Sequence, residues 1–254
     1  MDILIMIIVC FFAGMGAGLG TGLAGLSAAV VVSPMLITFM GVPAFEAIGI
    51  ALASDVLASA VSAYTYGKNK KIDLKHGVIM LVSVLVFTLV GSYIASLVPN
   101  GTMGGFSKVM TLFVGLKFIF KPVMNTGEKQ AVKSEKRKIV QSILCGVLIG
   151  FICGFVGAGG GMMLLLVLTS VLGYELKMAV GTSVFIMTFT ALTGSVSHFA
   201  ISGMPDIPIM VLCILFTFVW ARIGARWANK ASAKMMNRVT GIVLSVLGVV
   251  MLVM

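Results

Sequence analysis

The sequence predicts an all-α polytopic membrane protein of about 8–10 membrane helices, arranged as two inverted-topology repeats whose helices are broken by glycine. Three observations lead there. The 254 residues are 59% hydrophobic and 10% charged, with a mean hydropathy of +1.15, whereas soluble domains carry charge on about a quarter of their residues. Apolar runs of spanning length cover most of the chain, which excludes a soluble enzyme, a secreted module and a disordered tail. The spacing of the breaks in the second half repeats that in the first.

Residues 3–20 read as a first helix running into Gly18-Leu-Gly-Thr-Gly-Leu-Ala-Gly-Leu-Ser27, where closely spaced glycines weaken it. Ala28–Met40 carries Pro34, is too short to cross comfortably and stops at Gly41-Val-Pro43. Helices follow over 44–66, 77–98 and 105–120, separated by a basic break at 67–76 and a turn at Pro99-Asn-Gly-Thr102. The polar, Lys-rich stretch after residue 120 divides the chain into a first membrane repeat (1–121), a basic linker (122–138) and a second membrane repeat (139–254).

Laying 22–52 on 154–184 without a gap puts Gly22, Gly25, Gly41 and Gly49 on Gly154, Gly157, Gly173 and Gly181. Every glycine of the first window meets a glycine, and Gly91 later matches Gly224, so an internal duplication is expected.

Charge sets the orientation of the copies. Lys68, Lys70, Lys71 and Lys75 fill one break; Lys121, Lys129, Lys133, Lys136, Arg137 and Lys138 a second; Arg222, Arg226, Lys230, Lys234 and Arg238 surround a third. Cytoplasmic loops are enriched in Lys and Arg, so these cations read as topology signals and no nucleic-acid partner is expected. The basic break follows the third helix of the first half, but the later turn of the second half. Equivalent loops then lie on opposite faces, the repeats are inverted, and both termini lie outside. Met1-Asp2 offers no basic n-region, so no cleaved signal peptide is expected.

Unpaired backbone at membrane depth costs several kcal/mol per group, so a Gly-rich break must be packed in protein or line a polar cavity. A helix restarting after it presents bare N–H groups and partial positive charge, and glycine lets an anion approach. Gly25 and Ser27 in the first half, with Gly157, Gly159, Gly160 and Gly161 in the second, are thus candidate substrate-binding residues at two tips meeting at mid-depth. Thr182 and Ser183 add hydroxyls, and no Lys or Arg falls in either broken element. The competing use of these glycines is close helix packing, and that of the hydroxyls is bonding back to their own helix.

Asp55 is the acid expected near mid-membrane and is the candidate for a coupling ion, H+ or Na+; a protonated structural carboxyl is the plainer use. His198, near a helix end, reads as interfacial, and Trp220 and Trp227 as interface anchors. The four cysteines and 19 methionines lie in apolar runs as packing residues; no metal-ligand spacing and no cofactor motif is present. An embedded enzyme would need convergent ligands or a nucleophile with its base, and isolated Asp55 and His198 do not supply them.

Gly157-Ala-Gly-Gly-Gly161, Ala179-Val-Gly-Thr-Ser183, Met40-Gly-Val, Leu172-Gly-Tyr and Ser197-His-Phe-Ala-Ile-Ser-Gly203-Met-Pro-Asp206 together resemble the TauE/SafE family of sulfite exporter-like transporters over nearly the whole chain. Gly25-Leu-Ser-Ala28 departs from the family's triple glycine, and the second half lacks the proline that usually follows its glycine run. The resemblance implies transport of a small sulfur-containing anion (sulfite, thiosulfate, sulfonate or sulfoacetate) across the cytoplasmic (inner) membrane. The expected mechanism is alternating access, one half rocking against the other, as ion-coupled export. A passive anion channel or a permease for small organic carboxylates is the alternative, and monomer and homodimer both stay open.

Overall fold

The computed structural model describes residues 3–99, 109, 112–113, 115–117, 119–120, 135–156 and 160–253. Among these, every regular element is helical: α1 (Ile3–Ala24), a 3-10 turn (Ala28–Val30), α2 (Val32–Met40), α3 (Ala44–Lys68), α4 (Leu74–Ala95), α5 (Glu135–Val156), α6 (Gly160–Leu166) with a π-turn (Val167–Val171), α7 (Leu176–Ser202), α8 (Ile207–Ala228) and α9 (Ala233–Val253). Seven of the described helices are long and apolar enough to cross a membrane; α2 and α6 are not. The expected 105–120 helix and most of the linker fall largely outside the described residues, and α5 begins at Glu135, inside the stretch read as linker.

The elements recur in the register that lays 22–52 on 154–184. α1 and α5 are each 22 residues, ending just before the two Gly-rich breaks. α2 ends on Gly41 at φ +65° and the π-turn is followed by Gly173 at φ +75°, each opening a short link to a long third helix. α4 and α8, again 22 residues each, start from Asp73 and Asp206, whose carboxylates accept from the amides of His76 and Ile209. These caps also set the α4 boundary, three residues ahead of the expected start at 77.

Glycine explains the largest departure from expectation. The break falls late in the 18–27 stretch: α1 continues past Gly18, Gly20 and Gly22 to Ala24, because Gly14, Gly18 and Gly22 form a stripe against α8. A Cβ on Gly14 would lie 2.9 Å from Thr217 N, one on Gly18 2.7 Å from Ala221 N, and one on Gly22 2.7 Å from Ala225 N. The stripe recurs in α5. There Gly146, Gly150 and Gly154 face Met80, Val84 and Ser92 of α4, with Gly154 held 2.7 Å from Ser92 N by the same measure. The helix-propensity cost of glycine, about 1 kcal/mol each, is offset by backbone-to-backbone dispersion contact that no other residue allows.

These contacts also give direction. α1 ascends alongside α8, and α5 alongside α4, each in parallel. α3 and α7, the two equivalent third helices, run antiparallel: Gly49 abuts His198 and Phe199, while Gly194 abuts Leu52. Both tight stripes therefore join a helix of the first half to one of the second. Around this core Leu4, Val82, Leu144, Leu215 and Val246 are exposed apolar side chains of the outer surface, as a lipid-facing wall requires.

Two substitutions separate close packing from backbone conformation. Gly18→Leu drives a side chain into Thr217 and Ala221, and should abolish recovery of a monodisperse, thermally cooperative protein. Gly41→Ala meets nothing within 4 Å and pays only for its positive φ, about 1 kcal/mol, lowering the unfolding midpoint by a few degrees in the same assay.

Candidate functional site

The chain leaves α1 through Gly25 at φ +64°, with the Gly25 amide on the Thr21 carbonyl at 2.9 Å and the Leu26 amide on Gly20 at 3.3 Å. The helix end is thereby closed and the chain reverses. Ser27 then caps the new start, extended at φ −71° and ψ 138°, its Oγ accepting from Ala29 N at 3.3 Å. All of 21–36 is buried, so this reversal occurs inside protein.

The start of α6 arrives at the same place. A Cβ on Gly161, at the start of α6, would stand 2.5 Å from Ser27 N, 2.6 Å from Gly25 O and 2.7 Å from Leu26 C. Ser183 of α7 donates to Val180 O at 2.9 Å within its own helix and reaches Gly25 O at 3.4 Å. Gly25, Ser27, Gly161 and Ser183 therefore converge. Gly160 does not: a Cβ there would collide with Cys153 Sγ, so it closes the α5–α6 hairpin. Gly157 and Gly159 lie outside the described residues. Thr182 points elsewhere, accepting from Asp73 N at 3.0 Å at the loop before α4.

Asp55 of α3 is fully buried beside the first tip. Oδ1 accepts from Ser59 Oγ at 2.7 Å, while Thr21, Ser27 and the Ala28 amide surround the carboxyl. Oδ2 has no partner of hydrogen-bonding geometry, and neither does Thr21 Oγ1. Thr21 and Asp55 thus form a buried polar pocket edge, with Ser27 and the Ala28 amide close enough to share it. Thr21 and Ser59 escaped sequence reading, because a lone hydroxyl in a membrane helix carries no signal until its neighbours are known.

Two further polar ties lie at the ends of the third helices. Tyr66 OH of α3 donates to Gly22 O at 3.1 Å, and His198 of α7 places Nε2 3.2 Å from Gly154 O. The register that carries Gly22 to Gly154 carries Tyr66 to His198. That coincidence of polar aromatic rings was the signal available in the sequence. His198 is not interfacial as expected but fully buried.

On the side of the basic 67–76 break, Asp73 joins the halves. It accepts from Tyr174 OH at 2.6 Å and from His76 N at 3.2 Å, with His76 Nδ1 2.8 Å away. Partial burial pushes the Asp73 carboxyl up, but the bonds from Tyr174 and His76 outweigh it and hold the group below the ordinary carboxylate range. At the opposite end Glu46 Oε1 accepts from Asp206 N at 3.1 Å. Two cavities, about 360 Å³ by Lys68, Arg222 and Arg226 and about 330 Å³ by Phe45, Glu46 and Ser202, reach in from the two ends without including either tip.

Interrupted helices packed against one another inside a bundle of spanning helices are an arrangement found in membrane transporters. The chain belongs to the Sulfite exporter TauE/SafE family, whose model matches residues 10–251. It is 25% identical to the Probable membrane transporter protein YunE of Bacillus subtilis (strain 168), over 92% of this chain and 93% of that one. To the Probable membrane transporter protein MJ0441 of Methanocaldococcus jannaschii it is 23% identical over 99% of this chain and 97% of that one. No solved structure matches it.

The Asp73 tie predicts a sign. Because its carboxyl is held low in the folded protein, the stabilisation is complete above the unfolded value of about 4 and is lost as pH falls through the lower folded value. The unfolding midpoint of Asp73→Asn should therefore trail the native protein at pH 6–7 and converge with it in acid. Tyr174→Phe should narrow that gap at pH 7.

Proposed function

We propose that the chain carries a small sulfur-containing oxyanion (sulfite, thiosulfate, a sulfonate or sulfoacetate) across the cytoplasmic membrane by alternating access, as ion-coupled export. The observation that carries this reading is the convergence of Gly25, Ser27 and Gly161, with no Lys or Arg side chain in either broken element, so that backbone amides and hydroxyls would balance the anion's charge. A solute held by dipoles instead of a fixed cation is released readily on the far side, as turnover requires. Membership of the Sulfite exporter TauE/SafE family supports the sulfite class.

The two halves serve as inverted repeats in this reading, with both termini outside. Antiparallel α3 and α7, and the parallel pairing of α1 with α8 and α5 with α4, support that arrangement. Coupling follows from Asp55. Its carboxyl lies against the Ala28 amide and Ser27, the groups the anion would use. An ionised Asp55 and a bound anion repel and compete for the same donors, so anion entry requires a proton on Asp55, and the two leave together. Sodium held by Asp55, Thr21 and Ser59 would satisfy the same electrostatic requirement.

Proteoliposome flux of sulfite, thiosulfate, sulfoacetate and sulfate, with and without an imposed pH gradient, tests the substrate class. Saturable flux of at least one of the first three, accelerated by the gradient, is expected; saturable flux of small carboxylates alone would replace the substrate. Asp55→Asn should leave exchange but remove its dependence on the pH gradient. Ser27→Ala, losing one hydrogen bond worth about 0.5–1.5 kcal/mol, should raise the half-saturating concentration roughly 2- to 10-fold with insertion unchanged. Gly161→Leu should abolish flux.

A further inference from the structure

His198 lies apart from the tips, yet it is bonded as few buried histidines are. Nδ1 stands 3.1 Å from the carbonyl oxygen of Phe45 on α3, and Nε2 3.2 Å from that of Gly154 on α5. A carbonyl oxygen can only accept, and a neutral imidazole carries a single N–H. Neutral His198 can therefore satisfy one of the two carbonyls while aiming a lone pair at the other. Only the imidazolium donates to both.

The surroundings suit that cation in part. Gly154 is in the last turn of α5, where the helix dipole presents its negative end. The ring of Phe45 stacks on the imidazole, centroids 4.1 Å apart and planes 28° apart, offering a π-face to positive charge. Against these stand complete burial and the lack of a counter-charge in contact. α5 brings Cys153 next to Gly154; α3 brings Glu46 beside Phe45, with its carboxylate engaged by Asp206 N; α4, through Thr88 and Ser92 at Gly154, brings no titratable group; α7 itself offers only Ser195 and Ser202 nearby. Among the described residues, no carboxylate contacts the ring to lock the proton in place, and no permanent cation stands against it to expel it. Phe45 and Ser202, both neighbours of His198, line the cavity of about 330 Å³ at that end of the molecule.

We infer that His198 is a proton-binding site joining the two halves: occupied, it ties the start of α3 to the end of α5, and on losing its proton it releases one of those ties. The equivalent Tyr66 donates to Gly22 O within the first half alone, and a phenol keeps its single proton throughout the physiological range. Of these two equivalent slots, only that of His198 carries a titratable tie. The site deepens the transport reading and rests on it only for the use made of the proton; the tests below need no substrate.

The full chain, labelled with 15N-histidine and reconstituted in liposomes, is titrated by solid-state NMR, with His198 assigned by the signals missing from His198→Gln. Two protonated ring nitrogens at pH 5 and one at pH 9, interconverting reversibly, are expected. A single state across that range overturns the proposal. The linkage is read from Cys153, buried beside Gly154, by mass-spectrometric quantification of its alkylation, each value divided by that of His198→Gln at the same pH to cancel intrinsic thiol reactivity. This ratio should be at least threefold lower at pH 5.5 than at pH 8.5. Equal ratios would show that the proton does not tie α3 to α5. Should His198→Gln fail to fold, His198→Asn replaces it in both measurements.

Discussion

Buried main chain must find partners, and in lipid no water is on hand to supply them. This constraint governs the molecule. Where α1 stops at Ala24 the backbone leaves helical geometry inside the bundle, and the chain meets the demand locally. Gly25 and Leu26 close back on α1, Ser27 caps the restart, and Gly161 at the start of α6 packs against that reversal. With Cβ-free residues at Gly25 and Gly161 the two segments lie in direct backbone contact. In the proposed transport reading, this is the region where a small anion would be recognised.

The same constraint explains where acid and hydroxyl sit. Asp55, Thr21 and Ser59 are confined to one side of the first tip, and the second half answers Asp55 with Met187 at the equivalent position. Two copies of one backbone plan therefore carry unequal chemistry. Shape is shared between halves, set by glycine, whereas charge is placed once. Tyr66 and His198 follow the same rule, one geometric slot filled by a side chain that holds its proton and by another that can give it up.

Much of the plan was legible in the residues, because hydropathy and glycine spacing act through length and sterics alone. The breaks after α1 and α5, the short α2, the αL stops at Gly41 and Gly173, and the convergence of Gly25, Ser27 and Gly161 follow from such signals. What was misread depended on partners distant in sequence. Gly18 looked like a helix breaker because its partner Ala221 lies across the linker; Thr182 looked like a ligand because the Asp73 amide was not in view; His198 looked superficial because Phe45 and Gly154 bury it from two other helices. Gly160 was grouped with Gly161, although one residue along a helix turns by about 100° and so faces its own hairpin instead.

The glycine stripes have a consequence for synthesis. α1 finds its partner in α8 and α4 finds its own in α5, so neither half possesses the surface that would complete it. Leaving the ribosome, the N-terminal segment must wait in the bilayer with its groove uncovered until nearly the whole chain has been inserted. Severed at the linker, each fragment would be an unfinished object, lacking the partner helix its glycine stripe is built against.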